Sequence, residues 1–145
     1  MFHRSKDSPE TQAWRTMKDL EEFYHYRFPP KMGFLRPNTG SEGNFHWTCK
    51  AMGAYILAKA EYFFAAEVII NGGVLGRIDL LDLTRGIVIE FQSGLTEAIK
   101  AEKKQKYARN RIIRDYIFID LDKLPRDHDK LEKALTDKIL NVNSD

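Results

Sequence analysis

Apolar and polar residues follow two different periods along this chain, and the changes of period mark its elements. Helical spacing begins at Ser8-Pro9-Glu10, where Ser can cap, Pro suits the first turn and Glu meets the positive end of the dipole. The pattern predicts a helix to about Tyr26, stopped before Pro29-Pro30. Gly33, Pro37, Asn38, Gly40 and Gly43 make residues 31–45 a linker loop. Trp47, Ala51, Ala54, Tyr55, Ala58 and Tyr62 then recur at helical spacing over about Phe45 to Phe64, and the small residues among them let that helix lie close on a sheet.

Strands come next. Glu67–Ile70 and Val74–Asp82 flank Asn71-Gly72-Gly73, a strong hairpin cue. Gly86–Phe91 is a nearly continuous apolar run, as a central strand covered on both faces should be. Leu95 to about Arg114 reads as a helix, Tyr116–Leu121 as a strand, and Asp129 to about Leu140 as a closing helix with Leu131, Leu135, Ile139 and Leu140 on its apolar side. The helix at 95–114 has to cross a sheet face, which makes the last strand parallel to the one before it. The chain therefore predicts an α/β fold: an N-terminal helical extension and loop over residues 1–44, then an αβββαβ mixed sheet flanked by helices over 45–145.

The strand pair carries the chemistry. If Thr84-Arg85 is the loop, Leu83 pairs with Gly86 and the same register sets Asp79 opposite Glu90, with Cβ atoms roughly 4.5–5.5 Å apart. A three-residue loop with Gly86 left-handed would shift the pairing by one. Glu90 and Gln92 share a face in either register. Two carboxylates that close in a half-buried sheet repel each other and lose hydration unless a cation lies between them. Hard oxygen pairs of this kind suit Mg²⁺, with waters completing the octahedron. The bland reading is a salt bridge from Asp79 to Arg77 or Arg85. Asp82 reads as a turn acid capping the Leu83–Gly86 loop, and Gln92 can equally hydrogen-bond the sheet end.

Lys plus Arg exceed Asp plus Glu by 23 − 21 = 2, so overall charge names no partner. Its distribution says more, because Lys100, Lys103, Lys104, Lys106, Arg109, Arg111 and Arg114 crowd one segment. Such a run is usually a solvated helix face, but beside a phosphodiesterase site it would grip a nucleic-acid backbone. The single cysteine, Cys49, excludes an internal disulfide and suits a reducing compartment. The first 20 residues are polar and no apolar run approaches 18, so cytoplasmic residence, without a membrane span, is the default expectation. The four histidines lack metal-ligand spacing. His46 and Lys50 at the start of the second helix read as solvent-facing, with a place beside the strand-pair site as the alternative.

The order of elements, an acid closing the second strand and Glu90-Phe91-Gln92 closing the third, resembles the PD-(D/E)xK nuclease superfamily over about residues 45–140. The group includes restriction endonucleases and archaeal Holliday-junction resolvases. The resemblance implies a restriction endonuclease-like core and a metal-dependent nuclease, with DNA as partner. Asp79 falls on the family's metal-binding Asp, Glu90 on the acid of its (D/E)xK element, and Gln92 on the Lys. Glu67 enters as a third metal ligand if the first hairpin brings it to that face. Ile78 stands where the family name has Pro, a position that varies widely. Gln92 matters more, since an amide can hydrogen-bond water but cannot deprotonate it or carry charge.

The activity this resemblance implies is endonucleolytic hydrolysis of DNA phosphodiester bonds, with Mg²⁺ (or Mn²⁺) on Asp79 and Glu90 and a water positioned by Gln92. Lys100, Lys103, Lys104, Lys106 and Arg109 would hold the backbone, and symmetric cutting of two strands would need a homodimer. The rival expectation is a nucleic-acid-binding module that has lost catalysis, with Gln92 as the sign of decay. A third is a protein–protein adaptor built on the aromatic N-terminal segment, with Trp14, Phe23, Tyr24, Tyr26, Phe28 and Phe34.

Overall fold

A computed structural model describes residues 8–36, 43–70, 76–107 and 111–141. Its elements are α1 (Pro9–Tyr24), β1 (Tyr26–Arg27), α2 (Asn44–Lys59), β2 (Phe64–Ile70), β3 (Arg77–Asp82), β4 (Ile87–Gln92), α3 (Glu97–Tyr107), β5 (Asp115–Asp120) and α4 (His128–Leu140). The strands form one mixed sheet in the order β1-β2-β3-β4-β5. The first four are antiparallel to their neighbours, and β5 runs parallel to β4 after the α3 crossover, as expected.

Helices cover both faces of the sheet. Leu57 of α2 and Leu131, Leu135 and Ile139 of α4 pack with Ala66, Leu80, Ile89, Phe91 and Ile119 in one buried cluster. Ala13 and Leu20 of α1 pack with Ala65, Val68, Ile78, Leu81 and Val88 in the other. The strands are rich in β-branched residues, which suits a pleated surface buried on both sides. Gly53 lets α2 settle on the sheet: a Cβ there would lie 3.1 Å from both Leu80 Cδ1 and Phe91 Cζ.

Several boundaries differ from those read from the sequence, each for a local reason. The first helix stops at Tyr24 rather than Tyr26, because His25 turns left-handed (φ 59°) and donates its N–H to Leu20 O. Tyr26 and Arg27 are thereby released to pair with Ile70 and Ile69, an edge strand the sequence pattern did not announce. The second helix ends at Lys59, not Phe64. Glu61 takes φ 62°, its N–H reaches Ala58 O at 3.0 Å, and the Tyr62 N–H reaches Leu57 O at 2.9 Å. This is a Schellman ending with Glu where Gly is usual, so neither Gly nor Pro marked the stop. β2 accordingly starts at Phe64 instead of Glu67, and β3 is described from Arg77, the expected start at Val74 lying outside the described residues. The Asn71-Gly72-Gly73 turn lies outside the described residues.

The predicted helix at 95–114 is shorter, beginning at Glu97 where Thr96 Oγ1 accepts the Ile99 N–H at 3.1 Å. Residues 111–114 are not helical. The β3–β4 connection also differs in detail. Asp82 pairs with Ile87, the Gly86 N–H donates to Asp82 O at 2.8 Å, and the Leu83 N–H donates to Phe63 O rather than to Gly86. Gly86 is left-handed at φ 72°, yet the longer turn leaves the register unshifted, with Leu80 opposite Ile89. One step further along the same register sets Asp79 against Glu90.

Candidate functional site

The site grows out of a fault in the pleat. Successive residues of a strand alternate between faces, so Ala66 and Val68 should pack on the same side. They do not: Ala66 lies in the α2–α4 cluster and Val68 in the α1 cluster. The next strand does the same, with Leu80 on the α2–α4 side and Ile78 on the α1 side. The residues between them, Glu67 and Asp79, stand in one cross-strand row, bracketed by the pairs Ala66–Leu80 and Val68–Ile78. Both strands reverse phase in that row. Glu67 absorbs the change with φ 54°, a left-handed conformation inside a strand that costs a non-glycine residue about 1–3 kcal/mol.

On the other side of β3, the β3–β4 ladder ends at Leu80–Ile89. Beyond it the two acids replace the backbone acceptors. The Asp79 N–H donates to Glu90 Oε2 at 3.1 Å, and the Phe91 N–H donates to Asp79 Oδ2 at 2.9 Å. Each carboxylate thus caps the partner strand. The pair is joined through the backbone, and neither Arg77 nor Arg85 makes the salt bridge to Asp79 that the bland reading required: Arg77 approaches Glu67 and Arg85 binds Asp82.

Other side chains converge on these acids. His46 Nε2 lies 3.4 Å from Asp79 Oδ2, and Lys103 Nζ lies 3.5 Å from Glu90 Oε1. Glu90 is only 3% exposed. Lys50, 2% exposed, sits one turn after His46 on α2 and brings its ammonium to 4.0 Å from Glu67 Oε1. His46 and Lys50 therefore face the sheet rather than solvent, a correction whose signal was their i,i+4 spacing. Glu67, expected as a third metal ligand, is clasped by Arg36, whose Nε and Nη2 donate to its two oxygens at 2.6 and 2.8 Å. Arg77 Nη1 adds a contact at 3.4 Å. The Arg36 hydrogen bond, with support from Lys50, Arg36 and Arg77, holds the Glu67 carboxyl below its ordinary 4.5 despite its partial burial.

Gln92 ends β4 half-buried, level with Asp120 of β5, and its amide makes no hydrogen bond among the described residues. Asp82 is fully buried and caps its turn as expected. It accepts from the Thr84 and Arg85 N–H groups at 3.0 Å each and from Arg85 Nε at 2.6 Å. The basic segment divides: Lys103 turns inward to Glu90, whereas Lys100 and Lys106 pair with Glu97 and Glu102 on their own helix and Lys104 is exposed. Arg109 lies outside the described residues.

As a metal donor set, the acids offer two hard carboxylates. Asp79 Oδ1 carries no hydrogen bond among the described residues, and its carboxylate is 19% exposed. One or two carboxylates with water are what Mg²⁺ normally takes from a protein, so the residues fit that ion. No group of three or more His, Cys, Asp or Glu side chains able to hold a metal occurs among the described residues. Cys49 is no rival nucleophile, since burial pushes its thiol up to about 11. No described helix is long and apolar enough to cross a membrane. No family model, curated protein or solved structure matches this chain.

Proposed function

We propose that the chain is a metal-dependent nuclease that hydrolyses DNA phosphodiester bonds, with a restriction endonuclease-like core in its five-stranded sheet. The observation that carries this reading is the Asp79–Glu90 pair, where the β3–β4 ladder ends and Glu90 accepts the Asp79 N–H while Asp79 accepts the Phe91 N–H. Acids in so buried a place are costly, and a fold that needed only to close a ladder could do so with backbone carbonyls.

In this reading Asp79 and Glu90 would hold Mg²⁺ (or Mn²⁺), which when bound would supply Lewis acidity and lower the pKa of a bound water. Lys103 contributes the cation that Glu-x-Gln omits: its ammonium at 3.5 Å from Glu90 Oε1 stands beside the acids without belonging to their strand. It would screen the charge of the scissile phosphate, while the unengaged Gln92 amide orients the water. His46, 3.4 Å from Asp79, fixes that carboxylate from the α2 side.

The test is cleavage of supercoiled plasmid, single-stranded DNA and a four-way junction with Mg²⁺, Mn²⁺ or EDTA, with Glu90→Gln protein alongside. Metal-dependent cutting that vanishes in the variant supports the enzyme. If the folded wild-type protein cuts none of them yet binds DNA in a salt-sensitive way, the reading fails and the catalytically inactive binding module takes its place.

A further inference from the structure

Several cations gather at Glu67, whose carboxylate meets Arg36, Arg77 and Lys50. Arg27, Ile69 and Arg77 form a single row across β1, β2 and β3, which sets the two arginines roughly 10 Å apart at the backbone. Arg36 reaches the same place from the loop after Gly33, which the Trp47 Nε1–H pins by donating to Arg36 O at 2.9 Å. Three arginines therefore line a cavity of about 220 Å³ in which Glu67 is the one acid among the described residues. Arg36 and Arg77 remain 55% and 54% exposed at their side chains, so their charge is presented to solvent.

The rest of the described lining is apolar: Phe28, Pro29, Pro30 and Phe34 belong to it, and Phe34 is 48% exposed. A half-exposed aromatic ring beside arginine side chains is the combination that grips single-stranded nucleic acid, with a base on the ring and phosphates on the guanidinium groups. The cavity is too small for a large ligand but suits one planar ring system. Its position matters as well. Glu67 stands one strand away from Asp79, so a phosphate on Arg36 or Arg77 would belong to the same strand as one lying over the acids.

We infer that the groove of Arg27, Phe34, Arg36 and Arg77 is a subsite for an unpaired nucleotide, so that the substrate strand enters the Asp79–Glu90 site single-stranded or frayed. As an account of substrate class this rests on the nuclease reading; as a binding site it can be tested without it. Glu67 is a positioning residue here, holding Arg36 at the rim through its two-pronged contact. Base pairing hides the ring faces that Phe34 would stack on, which gives the groove its preference for single strands.

The experiment measures anisotropy of a fluorescein-labelled 12-nucleotide oligothymidylate and of a 12-base-pair duplex, in EDTA, at several salt concentrations. Wild-type protein is expected to bind the single strand more tightly than the duplex. Phe34→Ala should weaken single-strand binding about 5- to 150-fold, the range that removing one base–aromatic stack produces, with an unchanged salt slope. Arg77→Gln should flatten the log–log salt slope by about 0.7, because one phosphate fewer is neutralised. Tyr55→Ala removes another exposed aromatic, on α2, and should bind as wild type does. Single-strand affinity that survives Phe34→Ala, or a duplex bound as tightly as the single strand, overturns the groove. Cleavage in Mg²⁺ is read in parallel: cutting that Glu90→Gln abolishes, with binding indifferent to Phe34, leaves the nuclease and removes only the groove. Phe34-dependent binding by a protein that never cuts does the reverse.

Discussion

Replacing Asp82 with Ala should cost more stability than any surface change, although the residue lies just one strand length from the candidate site. Asp82 is 0% exposed and satisfies two backbone N–H groups and the Arg85 guanidinium. Arg85 in turn donates to Ile139 O at 2.9 Å and lies 4.4 Å from the centre of the Tyr62 ring, so the one carboxylate secures the β3–β4 turn, α4 and the end of α2. Burial pushes the Asp82 carboxyl up, only partly countered by the Arg85 and Thr84 hydrogen bonds and the Arg85 charge. The ionised acid is therefore held at a cost, and the arginine at 15% side-chain exposure shares it. Breaking such a buried pair from one side leaves the other charge uncompensated, worth about 3–5 kcal/mol. For a domain of this size each kcal/mol moves Tm by about 2–4 °C, so Asp82→Ala should melt roughly 6–20 °C lower. Removing both partners with Asp82→Ala/Arg85→Ala should cost less than the sum of the two single variants, with a coupling of about 0.5–3 kcal/mol. Urea titrations of the four proteins measure every term. A loss below about 1 kcal/mol for Asp82→Ala, or strict additivity in the double variant, would refute the reasoning. Asp82→Asn keeps an acceptor for both N–H groups, and on the nuclease reading a folded Asp82→Asn protein should keep the wild-type cleavage rate, because this acid belongs to the turn.

Three further outcomes are expected. Glu67 has a lowered carboxyl pKa, so its ion pairs stabilise the fold fully above pH 4.5 and that contribution disappears as pH falls through the lower folded value. Urea titrations from pH 6 downward should accordingly show a shallower acid loss in Glu67→Gln than in wild type. The raised Asp82 group acts with the opposite sign, its contribution falling as pH rises from 3.8, and it cancels in that comparison because both proteins retain it. Gly53→Val would force carbon into space where a Cβ alone already lies 3.1 Å from Leu80 and Phe91, and thermal melts should show a loss of about 1–3 kcal/mol. Lys103→Met should lower kcat for metal-dependent cleavage about 100- to 1,000-fold, as loss of one electrostatic stabiliser does, with partial recovery when Gln92→Lys is added. An unchanged rate in Lys103→Met would remove that lysine from the mechanism.

The sheet was legible in the sequence wherever burial is two-sided. The runs Val68-Ile69-Ile70, Ile87-Val88-Ile89 and Ile117-Phe118-Ile119 announce strands because β-branched and aromatic residues have nowhere else to pack so well. The parallel direction of β5 followed from the helix that had to intervene. Helix ends were less legible. His25 and Glu61 turn left-handed without being glycine, held by hydrogen bonds to Leu20 and to Ala58 that no local residue pattern encodes. The register across β3 and β4 was correct although the turn was not. A longer turn closed by Asp82–Ile87 gives the same facing residues as a two-residue loop closed by Leu83–Gly86. At the candidate site, Asp79 and Glu90 stood out as charges in apolar runs. Lys103 stood out only within its basic run, His46 and Lys50 only as a helix start and Arg36 not at all, because their partners lie 13, 33, 17 and 31 residues away and only the folded chain brings them together.

The pleat reversal at Glu67 and Asp79 bears most directly on function. A left-handed Glu within a strand costs about 1–3 kcal/mol, and the ladder beyond Leu80–Ile89 gives up backbone pairing for two carboxylate acceptors. Neither concession improves the core, since Ala66, Val68, Ile78 and Leu80 are buried on one side or the other regardless. What the reversal does change is the surroundings of the row. It lies beside Glu90 of the regular strand β4, so that three adjacent strands each carry an acid that meets a cation or an imidazole from outside the sheet: Arg36 and Lys50 at Glu67, His46 at Asp79, Lys103 at Glu90. A regular pleat would have kept Ala66, Val68, Ile78 and Leu80 on a single face. Strain that local packing does not need, in the row where these acids and cations meet, is what the nuclease reading proposed above would expect of its site.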